Sequence, residues 1–528
     1  MSSTALRPAT APEVSLERVQ KAVARSGGAA AESGSADRAA VIRGVTLDSR
    51  RVQPGDLYAA LPGARVHGAE FAEQAVGAGA AAILTDPAGA VLIGDASGVA
   101  VLTVTEPRAV LGDVAAAIYG DPTRHLTLLG VTGTNGKTTV AYLLEAGLAA
   151  AGHRTGLIGT VATRIADVVV PSVRTTPEAP ELQALFATML ERGVDAAAME
   201  VSSHALALHR VDGCRFAGAA FTNLSQDHLD FHTDLEDYFE AKASLFDPRR
   251  GFLAAAGAVV SADDEHGRRL ALRHPDAVTF GFAADAGWRA VEVRCGPAGS
   301  DFGVLAPGAD APVKAHVAMP GSFNVSNALC SIALLAQTGT PLEAALEGVA
   351  GLAGVPGRME RIDAGQPFLA LVDYAHTPAA VASLLQTVRE LVPGRLLLVL
   401  GCGGDRDRGK RPLMGAAAVL GADEAILTSD NPRSEDPLAI LGEMSDGARK
   451  AAAGISSAGD FVVEPDRAAA IALAVHRARA GDAVVIAGKG HETGQDIAGV
   501  VHPFDDREVL RAAMSAAGST LGNPVSGA

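Results

Sequence analysis

The 528 residues, 48% hydrophobic and 20% charged, are long enough for roughly three globular domains with sizeable cores. Forty-four Lys and Arg against 60 Asp and Glu leave a net charge of −16, which argues against a nucleic-acid-binding surface, because neutralising a phosphate backbone needs basic clusters. Four widely spaced cysteines, no apolar run near the roughly 18 residues of a membrane span and no signal-peptide core read as a reduced, cytoplasmic protein.

In chain order, residues 1–38 are rich in Ala, Ser, Gly and Arg and are expected to be a mobile extension, with SLERVQKAVA its helix candidate. Residues 39–122 read as a small α/β unit, with strands DLYAAL, AAAIL and GVAVLTV and helices FAEQAVGAG and PRAVLGDVAAAIYG. In 123–355 the strand candidates LTLLGV, TGLIGT, VDAAAMEV, GAAFTNL, GAVVSA and AVTFGF alternate with helices, the last being NVSNALCSIALLAQTG, so a mainly parallel sheet is expected. Residues 356–513 repeat the alternation with FLALVDY, RLLLVLG, EAILTSD, FVVEP and AVVIAG, a second doubly wound unit, and 514–528 read as a loose tail.

The stretch LLGVTGTNGKTTV, 128–140, organises the chain. An apolar strand, a loop with Gly130, Gly133 and Gly136, then Lys137, Thr138, Thr139 and a helical pattern form a cradle for a triphosphate. Glycines let backbone amides approach the phosphates, the helix N-terminus adds positive potential, the lysine reaches the β- and γ-phosphates and the threonine hydroxyl suits Mg²⁺. The loop is a variant: two residues separate Gly133 from Gly136, and five separate Gly130 from it, where four are usual.

Polar clusters follow other strands, where ligands of open α/β sheets sit. Glu200 closes VDAAAME and can hold Mg²⁺ opposite the loop threonine. TNLSQDHLDFH, 222–232, puts Asp227, His228, Asp230 and His232 into six residues, an uncommon density of metal-ligand types. Lys242, in EDYFEAKASLF, has by its spacing nothing to lift it above a solvated helix lysine. GCGGDRDRGKRP, 401–412, resembles a dinucleotide loop but carries Arg406 in place of a third glycine, and is too crowded and charged for pyrophosphate. A polar cleft for a zwitterion suits it better, with Arg406 and Arg433 on carboxylate and Asp430 and Glu492 on ammonium. A nicotinamide dehydrogenase and a nucleotide-dependent switch are the alternatives from other classes.

Taken together, GVTGTNGKTT, TTPE, EVSSHAL, NLSQDHLDFH, EAKASLF, GSFNVSNAL, GRME, DYAHTP, GDRDRGKRPLM and GKGHE resemble the Mur ligases, ATP-dependent amide-bond-forming enzymes of peptidoglycan synthesis. DNPR, 430–433, looks like the stretch of the diaminopimelate-adding members; lysine-adding relatives typically lack its arginine. The resemblance implies an α/β fold of three domains: a small N-terminal UDP-sugar domain, a central P-loop ATPase-like parallel sheet, and a C-terminal Rossmann-like doubly wound domain for the amino acid. It implies that ATP phosphorylates the γ-carboxylate of UDP-MurNAc-L-Ala-D-Glu and that diaminopimelate attacks the acyl phosphate, in a monomer with neither membrane nor nucleic acid as partner. A ligase of the same family adding lysine, or using another acid, is the nearest rival.

The resemblance also implies roles. Lys137, with Gly133, Thr134, Asn135, Gly136, Thr138 and Thr139, would hold the phosphates, and Asn324, Arg358 and Asp373 would surround the nucleotide. Thr138 and Glu200 would hold one Mg²⁺. His228 would hold a second, supported by Lys242 carbamylated by CO₂; Lys137, Lys242, His228 and Arg358 are the catalytic expectations. Leu47 and Ser49 match the uridine loop, and Thr175, Thr176, Ser202 and Arg210 match contacts to the muramoyl peptide. Arg406, Asp430, Asn431, Pro432, Arg433, Gly488 and Glu492 match the diaminopimelate site. Leu208 stands where relatives can carry a substrate-binding glutamine.

Overall fold

A computed structural model describes residues 7–10, 13–28, 31–33, 40–63, 65–94, 98–253, 257–453, 455 and 458–521. The remainder of the expected N-terminal extension, and 522–528 of the expected tail, lie outside the described residues.

Among the described residues three large sheets follow one another along the chain. The first has five strands in the order Ala31–Ser33, Ala100–Thr103, Ala82–Thr85, Asp56–Ala60, Gly44–Thr46, parallel except for the first. Its core forms where Leu57, Leu84 and Leu102 meet Val110, Leu111 and Val114 of the helix Pro107–Ile118. Among the described residues of the segment before it, 14–25 form a strand and a helix where a mobile extension was expected. Val14–Ser15 pairs with Val41–Ile42, and the Ser15 hydroxyl caps the helix Leu16–Arg25 by accepting from the Arg18 amide. Leu16, Val19, Ala22 and Val23 recur at helical spacing and are all buried, so the helix is fixed by an apolar face rather than by propensity. Further upstream, the Arg7 guanidinium makes two 2.9 Å bonds to Asp56, and the amides of Ala9 and Thr10 each donate to Glu191 at 2.8 Å.

The second sheet has eleven strands. Thr155–Ile158, Ala196–Glu200, Thr127–Thr132, Gly218–Phe221, Ala258–Ser261, Val278–Gly281 and Trp288–Gly296 are successive parallel neighbours. Both edges are antiparallel, with Ala162–Ile165 and Val168–Pro171 on one side and Gly299–Leu305 and Val313–Val317 on the other. The edge strands were not foreseen: Val313–Val317 exposes Val313 and Lys314 and buries only Ala315 and Val317, so it presents no apolar run. Lys137–Ala150, Ser322–Gln337 and Leu342–Gly351 cover one face, and Ala179–Glu191 and Leu235–Ala243 the other.

The third sheet runs Glu360–Arg361, Leu369–Asp373, Ala483–Ala487, Leu396–Cys402, Glu424–Ser429, Asp460–Val463, parallel apart from the short first strand, with helices on both faces. The last helix, Asp506–Leu521, runs through 514–521, where a loose tail was expected. It buries Leu510 and Met514 against the sheet, and Asp506 pairs with Arg467 at 2.7 Å, both side chains fully buried. Loops leaving the carboxyl ends of the second and third sheets face one another across a cleft.

Candidate active site

Strand Thr127–Thr132 runs into the loop and the helix Lys137–Ala150 continues it. Gly133 (φ +144°) and Gly136 (φ +87°) hold left-handed backbone, and a Cβ would lie 1.9 Å from Thr222 Oγ1 at the first and 2.4 Å from Asn327 Oδ1 at the second. The loop is clamped from the next strand: the Thr134 amide donates to Asn223 O, the Asn135 amide to Asn223 Oδ1, and Thr222 Oγ1 to Asn135 O. Lys137 Nζ folds back on the carbonyls of Gly133 (2.9 Å) and Thr134 (2.7 Å). Burial lowers its pKa, opposed by Glu200 and Asp227.

A cavity of about 440 Å³ opens above the loop. Gly136, Lys137, Thr138, Thr139, Glu200, Asn324, Arg358 and Asp373 line it, so the expected nucleotide residues from three distant segments are brought together. Thr138 Oγ1 donates to Glu200 at 3.1 Å, and Thr160 holds the same carboxylate through its amide and hydroxyl. Arg358 donates to Thr138 Oγ1 at 2.9 Å and stacks on Tyr374. Burial raises the pKa of Asp373, which accepts from the Met359 and Ala375 amides.

Lys242 overturns the expectation of a solvated side chain. It is 1% exposed, lies over the Tyr238 ring, and donates to Gly133 O at 2.7 Å, the carbonyl that Lys137 also uses. Burial and the Lys137 charge push its pKa well below the usual lysine value. As an amine it offers a donor and no oxygen to a cation; the Thr138 and Glu200 pair does offer oxygens that suit a hard one.

The dense 222–232 cluster does not converge on a metal: among the described residues no group of three His, Cys, Asp or Glu is placed to hold one. His232 turns to Asp237, and Asp230 faces a second cavity. His228, in left-handed backbone (φ +57°), stands between the two cavities, its pKa depressed by burial to about 3. Burial acts to raise the Asp227 pKa, but His376, His228 and Lys410 overcome it and hold the carboxylate well below its usual range. His376 and Lys410 each approach Asp227 to 3.6 Å from the third-sheet side. Sequence reading missed both, although they stand inside DYAHTP and GDRDRGKRPLM; the signal was motif membership, and the partner was not visible.

The second cavity, about 470 Å³, is lined by Arg406, Asp430, Asn431, Arg433, Gly488 and Glu492. It shares Thr160, Thr175, Asp227, His228, Tyr374 and His376 with the first. Arg433 (φ +52°) is half-buried and donates to Gly404 O at 2.6 Å, whereas Arg406 is exposed at the mouth, not enclosed as a fully closed site requires. Pro432 does not line the cavity; its carbonyl sits 1.9 Å from where a Gly404 Cβ would be, so it shapes the loop from behind.

A third cavity, about 640 Å³, contains Leu47 and Ser49 beside Arg7, Tyr58 and Arg108, and Arg174 lines both it and the second. Thr175 and Ser202 line the first cavity. Thr176 and Arg210, expected at the muramoyl peptide, line none of the three cavities. Thr176 is fully buried, donating to Glu200 O and accepting from the Ser202 amide, and Arg210 is paired with Glu178 at 2.9 Å. Leu208 lines none of the three cavities.

The three sheets, the second and third of which meet at the glycine-wrapped lysine, match three family models in chain order: "Mur ligase family, catalytic domain" over 41–119, "Mur ligase middle domain" over 131–335 and "Mur ligase, glutamate ligase domain" over 357–490. The chain belongs to the Mur ligase family. It is 57% identical over 490 residues, 92% of this chain and 94% of the relative, to the UDP-N-acetylmuramoyl-L-alanyl-D-glutamate--2,6-diaminopimelate ligase of Streptomyces coelicolor. It is 49% identical over 478 residues, 90% and 92% of the two chains, to the protein of that name from Corynebacterium glutamicum. A solved ligase of the same name matches at 35% identity and TM-score 0.62, covering 90% of this chain and 96% of that one. The fold is shared with the MurF ligase of Thermotoga maritima in complex with ADP, at 16% identity and TM-score 0.61 over 91% and 98% of the chains.

Proposed function

We propose that this protein is an ATP-dependent ligase that joins diaminopimelate to the D-glutamyl γ-carboxylate of UDP-MurNAc-L-Ala-D-Glu, releasing ADP and phosphate. The observation that carries this reading is the wall common to the Lys137 and Arg433 cavities, which lets an acid activated on one side meet an amine held on the other. A carboxylate resists amines because oxide would have to leave; phosphorylation gives it phosphate as the leaving group.

In this reading the loop amides and Lys137 grip the β- and γ-phosphates, and Arg358 faces the charge that develops on the transferred group. Thr138 and Glu200 would hold Mg²⁺, which neutralises phosphate charge. Lys242, buried beside another cation, is poised as the neutral amine that takes up CO₂, and its carbamate would give the His228 side of the site the oxygens the amine lacks. Leu47 and Ser49 would meet the uridine, Thr175 and Ser202 the peptide, and Arg433 and Arg406 the distal carboxylate of diaminopimelate. Domains at 39–122, 123–355 and 356–513, and a monomer in the cytoplasm, complete the proposal; among the described residues no helix is long and apolar enough to cross a membrane.

The test is phosphate release with ATP, Mg²⁺ and UDP-MurNAc-dipeptide against a panel of meso- and LL-diaminopimelate and lysine, with product mass. Release that requires both the dipeptide and a diaminopimelate isomer is expected. ATP hydrolysis indifferent to the dipeptide, or equal use of lysine, would overturn the reading.

A further inference from the structure

Lys489 is fully buried behind the second cavity, and nothing in the chemistry above uses it. It follows the strand Ala483–Ala487, between Gly488 (φ +111°) and Gly490 (φ +54°), two left-handed residues that bring the side chain inward. The segment has no freedom to slide: a Cβ would lie 2.6 Å from Asp430 Oδ2 at Gly488, and 2.8 Å from Gly357 O at Gly490.

A buried ammonium is tolerated only when matched by acceptors. Lys489 Nζ donates to Asn431 Oδ1 at 3.0 Å and to Glu492 Oε2 at 3.1 Å. Asn431 Nδ2 closes the ring on that same Glu492 oxygen at 2.8 Å, and Asn431 Oδ1 also accepts the Asp496 amide at 2.9 Å. The amide orientation follows, because a flipped Asn431 would set its NH₂ against two donors. One Glu492 oxygen is thus saturated. Among the described residues none donates to the other, Oε1, and Glu492 lines the cavity.

We infer that Lys489 is a positioning residue for the incoming amino acid. It holds Glu492 by one oxygen and fixes the Asn431 amide, so that the remaining carboxylate oxygen is presented, pre-oriented, to the substrate's ammonium group. Lys489 itself does not touch substrate. This rests on the reading that the second cavity receives an amino acid.

Steady-state kinetics of Lys489→Met, varying each substrate with the other two saturating, decides it. Loss of one fixed, charge-assisted contact is expected to raise the KM for diaminopimelate roughly 10- to 100-fold. The KM values for ATP and UDP-MurNAc-dipeptide should stay within about twofold and kcat within about threefold, the spread expected when ground-state binding alone is lost. An unchanged diaminopimelate KM, or an equal rise in all three, overturns the inference; the latter is what general loosening of the fold would give. If Lys489→Met does not fold, Lys489→Gln, which keeps a donor in the same space, carries the same test with a smaller selective rise expected. Wild-type protein that releases phosphate without needing diaminopimelate overturns the functional reading itself, whereas dependence in the wild type with an unmoved variant overturns only the role of Lys489.

Discussion

Lys137 and Lys242 both donate to the carbonyl of Gly133, one from within the loop and one from a helix about a hundred residues later. Two cations sharing one acceptor in a buried place cannot both stay charged cheaply; burial lowers both, but Glu200 and Asp227 support the charge on Lys137, whereas Lys242 also faces the Lys137 charge and is pushed further down. With ¹³C-labelled bicarbonate, a carbamate carbon resonance is expected in the wild type and absent from Lys242→Met, whose rate should fall by about 10²–10³. Arg433→Ala should weaken diaminopimelate use by roughly 30- to 1000-fold while leaving the KM for ATP in place, since a site built for a carboxylate loses its partner. Equal loss for both substrates would refute that assignment. The phosphate loop was legible in the sequence because its whole geometry is local: strand, glycines, lysine, helix. The burial of Lys242 was not, since Tyr238 and Gly133 surround it only after folding, and neither was the Asp227 clamp, whose His376 and Lys410 come from another sheet.

At the level of elements, Lys410–Gly421 and Pro437–Ala452 cross backbone to backbone. A Cβ at Gly447 would lie 1.9 Å from Pro412 O, and one at Gly415 the same distance from Met444 O. Gly447→Ala therefore has to push the helices apart, and about 1–3 kcal/mol of destabilisation is expected, seen as a lower Tm with nucleotide affinity unchanged. The parallel strands around the cleft could be read from sequence because burial on both faces makes them continuous apolar runs, as in LLLVLG. The antiparallel edges could not, because half-exposed strands dilute that signal. The helix Leu16–Arg25 was partly legible from its periodicity, but not that it has a surface to dock on.

Across the whole molecule, acid sensitivity follows from neutral histidines held inside. Burial pushes His204 and His491 down to about 4, and for His491 the neighbouring Arg358 and Arg507 add to this. Between pH 6.5 and 4 the unfolded chain binds protons at these positions that the folded one refuses, so stability is complete above about 6.5 and declines as pH falls toward 4. Thermal unfolding across that range should show the decline, and His204→Asn or His491→Asn should flatten it; an unaltered slope in both variants would exclude these groups as the cause.

The clasp between Arg7 and the buried Asp56 carries an evolutionary corollary. A carboxylate 2% exposed, paired with an arginine that lines the third cavity, has its counter-charge supplied from upstream of the segment that the family model matches. Homologues that shed the arginine are accordingly expected to carry a neutral residue where Asp56 stands, the two positions being gained and lost as a couple.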